Sequence, residues 1–178
     1  MKKIIVLFTF VVLSWLTLPS AFCADASKIG VVDFQKILNE SSAGKMIQKE
    51  IGDRNNEIKE KLIGEKNLID KMKADFQREA LVLSQEKQDE KAREIRIRNN
   101  DAIKMEKRLT DDFKRLQAEL LRQFQNDIGL IVSEIGKKEG YLLILEKKRS
   151  AVVYSPENID ITEAVIKEYN KKTAKAKN

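Results

Sequence analysis

Residues 41–139 contain no proline, and core-type residues recur through them at alternating spacings of four and three. Proline removes a backbone donor and clashes with the preceding turn, so its absence over such a length permits uninterrupted helix. The first run is Ile58, Leu62, Glu65, Ile69, Met72, Phe76, Glu79 and Leu83. The second is Ile95, Asn99, Ala102, Glu106, Leu109, Phe113, Leu116 and Leu120. That alternation is the seam of a coiled coil. Its polar members, Glu65, Glu79, Asn99 and Glu106, weaken the seam but can fix register. Farther on, Phe124, Ile128, Ile131 and Ile135 keep the stripe apolar and lead it into a compact body.

Between the two runs the phase is lost, and residues 84–91 hold no apolar side chain. Ser84 suits a helix N-cap, and Glu86 sits favourably in the first turn. Two geometries fit. One is a hairpin that turns just before Ser84, with arms about 60 Å long. The other is one continuous helix of about 100 residues with a stutter near residue 84. The hairpin is preferred because it brings the flanking strand-forming segments together.

Those flanks differ in character. In residues 24–40, Ile29, Val31 and Val32 fit a short strand, and Asp33 caps a short helix through Leu38. In residues 140–178, Gly140 suits a helix C-cap. Tyr141–Leu145 is a strand apolar on both faces and therefore expected to be buried. Ala151–Tyr154 is expected to return beside it as a β-hairpin. Asp160 and Glu163 have capping-box spacing ahead of a last helix, with Ile161, Ala164, Val165, Ile166 and Tyr169 as its apolar positions. Lys171 to Asn178 is basic and expected to fray. The fold class is mainly α with a small β body. That body, roughly 50 residues, is marginal alone, and its sheet edges need cover. Oligomerisation is the physical expectation.

Residues 1–23 read as a secretory leader: Lys2 and Lys3, an uncharged stretch from Ile4 to Leu18, then Pro19 and small residues at Ala21 and Cys23. The stretch is short for a membrane span, which needs roughly 20 residues. Cleavage is expected after Cys23, the one cysteine in the chain.

The chain has no histidine, which excludes imidazole acid/base chemistry, His-based nucleophile pairs and His metal ligands. One cysteine gives no disulfide framework and no cysteine-based zinc site. No phosphate-binding glycine pattern occurs, so no cofactor is expected. The pairs Asp111–Asp112 and Asp89–Glu90 are what 28 acidic residues place on a solvated helix face. A Ser–Lys dyad lacks an oxyanion loop or glycine elbow. Phe76, Phe113 and Phe124 belong to the apolar stripe as packing. The formal charge is +6, but residues 41–140 hold 22 basic against 20 acidic groups. That is a mixed-charge surface rather than a stripe for a polyanion, and an export leader speaks against nucleic acid. Arg93, Arg96 and Arg98 cluster near the expected tip, as ordinary surface charge or as a contact for anionic clients or lipid head groups.

Three stretches carry a family resemblance: Lys28–Asp33 after the leader, Tyr141–Glu146 followed by Ala151–Tyr154, and Asp160–Tyr169. With the long helical insert between the first two, the chain resembles the Skp/OmpH family of periplasmic chaperones over essentially all of its expected mature length. The resemblance implies a jellyfish-like homotrimer, in which three helical hairpins hang from a β body and enclose a cavity. It implies an ATP-independent holdase for unfolded outer-membrane proteins, not an enzyme, located in the periplasm. The alternative is a non-chaperone periplasmic coiled coil that tethers envelope components or binds lipid.

Overall fold

The computed structural model describes residues 28–175. The expected leader over residues 1–23 and its expected cleavage point lie outside the described residues. Strand β1 (Lys28–Val32) is followed at once by helix α1 (Phe34–Glu40). Asp33 caps that helix: its carboxylate accepts from the Lys36 N–H at 2.9 Å. Ser41 then serves two helices. Its N–H donates to Ile37 O at 2.9 Å, closing α1. Its hydroxyl accepts from the Gly44 N–H at 3.0 Å, opening helix α2 (Ser42–Glu79). The corner is tight, because a Cβ on Gly44 would lie 2.2 Å from Leu38 O.

Helix α3 (Gln85–Glu139) returns antiparallel to α2, so the hairpin forms and the single long helix does not. Ser84 caps it, its hydroxyl facing the Lys87 N–H at 3.5 Å. Gly140 ends it in the left-handed region at φ 71°, where glycine carries no Cβ penalty. Strand β2 (Tyr141–Glu146) follows.

β2 pairs with β1 in parallel, with Ile29 opposite Leu143 and Val32 opposite Glu146. Parallel neighbours require a long crossover, and here the whole helical hairpin provides it. The expected β-hairpin between 141–145 and 151–154 does not form within the chain. After β2 the backbone curls in a turn, with Ser150 N–H on Glu146 O and Val152 N–H on Lys147 O. Ala151 takes φ 49°, and Val153 emerges fully exposed. The second edge of β1 is met instead by residues near Asp160: Ile161 N–H donates to Val31 O at 2.9 Å, and Asp33 N–H to the Thr162 hydroxyl at 2.9 Å.

A single 3-10 turn (Glu157–Ile159) leads to helix α4 (Thr162–Lys175). The expected capping box is replaced. Asp160 sits two residues before the helix and accepts from the Thr162 N–H at 2.9 Å, while Glu163 turns to Lys36 Nζ at 2.6 Å. The expected fraying is also corrected as far as Lys175. Those residues are helical, and Lys172 holds Glu134 of α3 at 2.6 Å.

The core lies where α1, the last turns of α3 and α4 meet β1. Val32, Ile37, Phe124, Ile128, Ile131, Val165 and Tyr169 form it. Phe124 contacts Phe34 and Tyr169 edge-on, with ring centroids 6.5 and 6.0 Å apart. Strand β2 is less covered than its composition suggests, with Leu142 71% exposed and Leu143 also exposed.

Candidate functional site

With no chemical constellation among the described residues to centre on, the feature that the fold positions is the arm of α2 and α3. The 38 residues of α2 span about 57 Å. The last turns of α3 run on into the body core, so the arm is anchored by its own helix.

The arm tip is a built turn rather than a loose loop. Gln88 reaches back from α3, and its Nε2 donates to Ala80 O at 2.7 Å and Leu83 O at 3.1 Å. Lys91 and Glu79 pair across the hairpin, and the Glu79 carboxylate raises the Lys91 pKa from its ordinary value. This bracing presents Leu81 and Val82 outward, 96% and 84% exposed.

Along the shaft, Ile58, Ile69 and Leu109 are buried between the helices. The seam of α2 runs through the expected positions. In α3 two positions shift by one residue: Arg98 and Met105 turn toward the partner helix, while Asn99 and Glu106 are exposed. The reason is electrostatic. Glu65, expected on the seam, meets Arg98 there. Arg98 Nη2 donates to Glu65 Oε2 at 3.0 Å, and Nε lies 2.7 Å from Oε1. The Nε contact is ionic in character, because its geometry falls outside that of a hydrogen bond. The long apolar stem of Arg98 fills seam space that Asn99 could not.

A groove flanks this layer on each side of the arm. One, of about 430 Å³, is lined by Leu62, Ile63, Ile69, Ala102 and Ile103 among others. The other, of about 380 Å³, is lined by Glu94, Ile97, Arg98, Asp101 and Met105. Ile63 and Ile103 are each 58% exposed. Composition and periodicity missed these residues because each neighbours a seam position and is absorbed into the stripe when the phase is read. Their signal is an aliphatic side chain one residue off the seam on a helix otherwise charged there.

The three tip arginines separate. Arg93 and Arg96 stand exposed, with Arg93 close enough to Glu90 to lower that carboxyl's pKa along with Lys87, whose hydrogen bond is the main cause. Arg98 is engaged by Glu65. The carboxylate pairs are likewise separate in their contacts: Asp112 with Arg115, Asp89 with Gln85 at 3.2 Å, Glu90 with Lys87 at 2.8 Å. Among the described residues, no group of three or more acidic, cysteine or histidine side chains gathers as a metal site. No described helix is long and apolar enough to cross a membrane. What the arm offers is reach, a braced apolar tip and shallow grooves, which suit many weak contacts rather than one strong one.

Comparison with known proteins agrees with this geometry. No curated protein matches the sequence. Among solved structures, a Caulobacter crescentus CB15 protein described as a candidate OmpH-like outer membrane chaperone superposes with a TM-score of 0.76 at 13% identity. The match covers 82% of this chain and 85% of that one. At that identity the likeness speaks for the fold. The family described as outer membrane protein (OmpH-like) matches residues 28–169, from the first residue of β1 into α4. The chain therefore belongs to the OmpH-like family, and its arm and small parallel sheet are that family's architecture.

Proposed function

We propose that this chain is an ATP-independent holdase of the periplasm that keeps unfolded outer-membrane proteins soluble between its arms. The carrying observation is an arm with aliphatic side chains exposed along its length, from Ile63 and Ile103 at mid-shaft to Leu81 and Val82 at the tip. A helix needs no such residues on its solvent side, and each lone aliphatic gives only a weak contact. Several together raise the effective local concentration of binding surface without locking the client in place. Release then needs only a stronger sink, which for a barrel protein is insertion into the membrane. Family membership and the description of the Caulobacter relative as a candidate chaperone support this reading.

The holdase works as a homotrimer. Leu142, Leu143, Val153 and Tyr154 of the body are exposed in a single chain, and β2 has a free edge. Pooling these surfaces among three copies covers them and hangs three arms around one cavity. A second reading, an envelope tether that binds lipid, is favoured by the apolar tip with Arg93 and Arg96 about two to three turns back along α3.

The test is dilution of a urea-denatured β-barrel membrane protein into buffer with and without this protein, followed by light scattering. Suppressed scattering at near-stoichiometric protein is expected. Scattering unchanged by excess protein would defeat the holdase reading and leave the tether.

A further inference from the structure

The two faces of the arm are unequal at mid-shaft. The Glu65–Arg98 pair interrupts the apolar seam. Ala102 beside it, small and shared by the grooves on both sides, leaves the seam thin. The grooves that result differ in chemistry. On one face Leu62, Ile69 and Ala102 form an apolar floor, with Ile63 and Ile103 raised on either side. The opposite groove also holds Ile97, Met105 and Ala102, but Glu94, Asp101 and the engaged ion pair make its lining the more polar of the two.

We propose that the Ile63–Ile103 groove is the client-contact face of the arm, and that it takes apolar side chains of an extended, unfolded polypeptide. This rests on the holdase reading and assigns its binding surface. The rim points to that occupant. Lys66 and Lys73 stand there with Asp70 and Glu106, and none of the ion pairs among the described residues uses any of the four. Both signs are thus free on one rim. They complement the unpaired N–H and C=O groups of an extended backbone, which a folded partner has already satisfied. The groove volume of about 430 Å³ suits one or two side chains, not a folded element. A patch of this kind repeated on each arm gives the weak, multiple contacts that holding requires.

The experiment uses the full protein with a photo-crosslinking amino acid at position 63 and, as the opposite-face control, at position 97. A denatured β-barrel membrane protein is the probe. Strong crosslinks to the probe from 63 and weak ones from 97 are expected. In parallel, Ile63→Asp with Ile103→Asp should require about tenfold more protein to suppress the probe's aggregation, whereas Ile97→Asp should leave the requirement unchanged. Circular dichroism and oligomer mass of each variant confirm that the arm remains folded. Equal crosslinking from 63 and 97, or crosslinks from 63 only to another copy of this chain, would overturn the assignment. If the unmodified protein itself fails to suppress aggregation, the holdase reading falls and takes the assignment with it. If it succeeds and the double variant matches it, only the assignment of the face falls.

Discussion

At the corner between α1 and α2, one missing carbon atom sets the direction of the arm. Leu38 O lies 2.2 Å from where a Gly44 Cβ would stand, and that oxygen is backbone in a capped helix. Gly44→Ala should therefore destabilise the body by about 2 kcal/mol or more, since the corner must open to admit the methyl group. A melting temperature equal to that of the unmodified protein would contradict the tight corner. Asp160 gives a second residue-scale prediction. Burial pushes its carboxyl up, but hydrogen bonds from Lys147 and from the Thr162 hydroxyl and N–H outweigh it, and the net pKa is lowered. A carboxyl lowered by folding stabilises the native state above its unfolded pKa, about 3.9. That contribution is lost as pH falls through the lower folded value. The stability gap between the unmodified protein and Asp160→Asn should thus be full at neutral pH and shrink below about pH 4. Thermal melts from pH 7 to pH 3 measure it, and a gap independent of pH would contradict it.

At the scale of the element, the Glu65–Arg98 layer places an ion pair in the seam between α2 and α3. Glu65→Ala strands a half-buried guanidinium and should destabilise the arm. Glu65→Leu with Arg98→Leu should recover or exceed the original stability, because apolar packing replaces a pair that gains little over water. A double variant less stable than Glu65→Ala would contradict this. At the tip, Gln88→Ala removes the side-chain amide that donates to Ala80 O and Leu83 O. Faster hydrogen exchange at residues 80–84, with the shaft unchanged, is the expected result. The sequence disclosed these elements unevenly. Asp33, Ser84 and Gly140 were legible because capping is local chemistry within a few residues. The partner of β2 was not, since β1 lies more than a hundred positions away and nothing local distinguishes a parallel neighbour from a hairpin return. Val152 and Val153 look like strand residues but find no edge within one chain. The seam of α3 was read one residue off at Asn99 and Glu106 because Arg98 looks like a surface residue until Glu65 is placed opposite. The mid-arm groove was hidden for a related reason: Ile63 and Ile103 count toward the apolar stripe until the helices are docked.

For the whole molecule, the imbalance between arm and body is what the proposed trimer would relieve. A small core carries long arms and leaves Leu142, Val153 and Tyr154 uncovered. Surfaces of this kind on one chain are relieved by burial against other copies. Leu142→Asp should lower the oligomer mass in solution, and the freed chain should melt at a lower temperature, since a body of this size is marginal alone. The central claim is that several such chains together hold one unfolded client in the space their arms enclose. Size-exclusion chromatography with light scattering tests it most directly, on the protein mixed with a urea-denatured β-barrel membrane protein. The expected result is one soluble species with the mass of three chains and one client. Client lost to aggregate while this protein elutes alone at the mass of a single folded chain would contradict it.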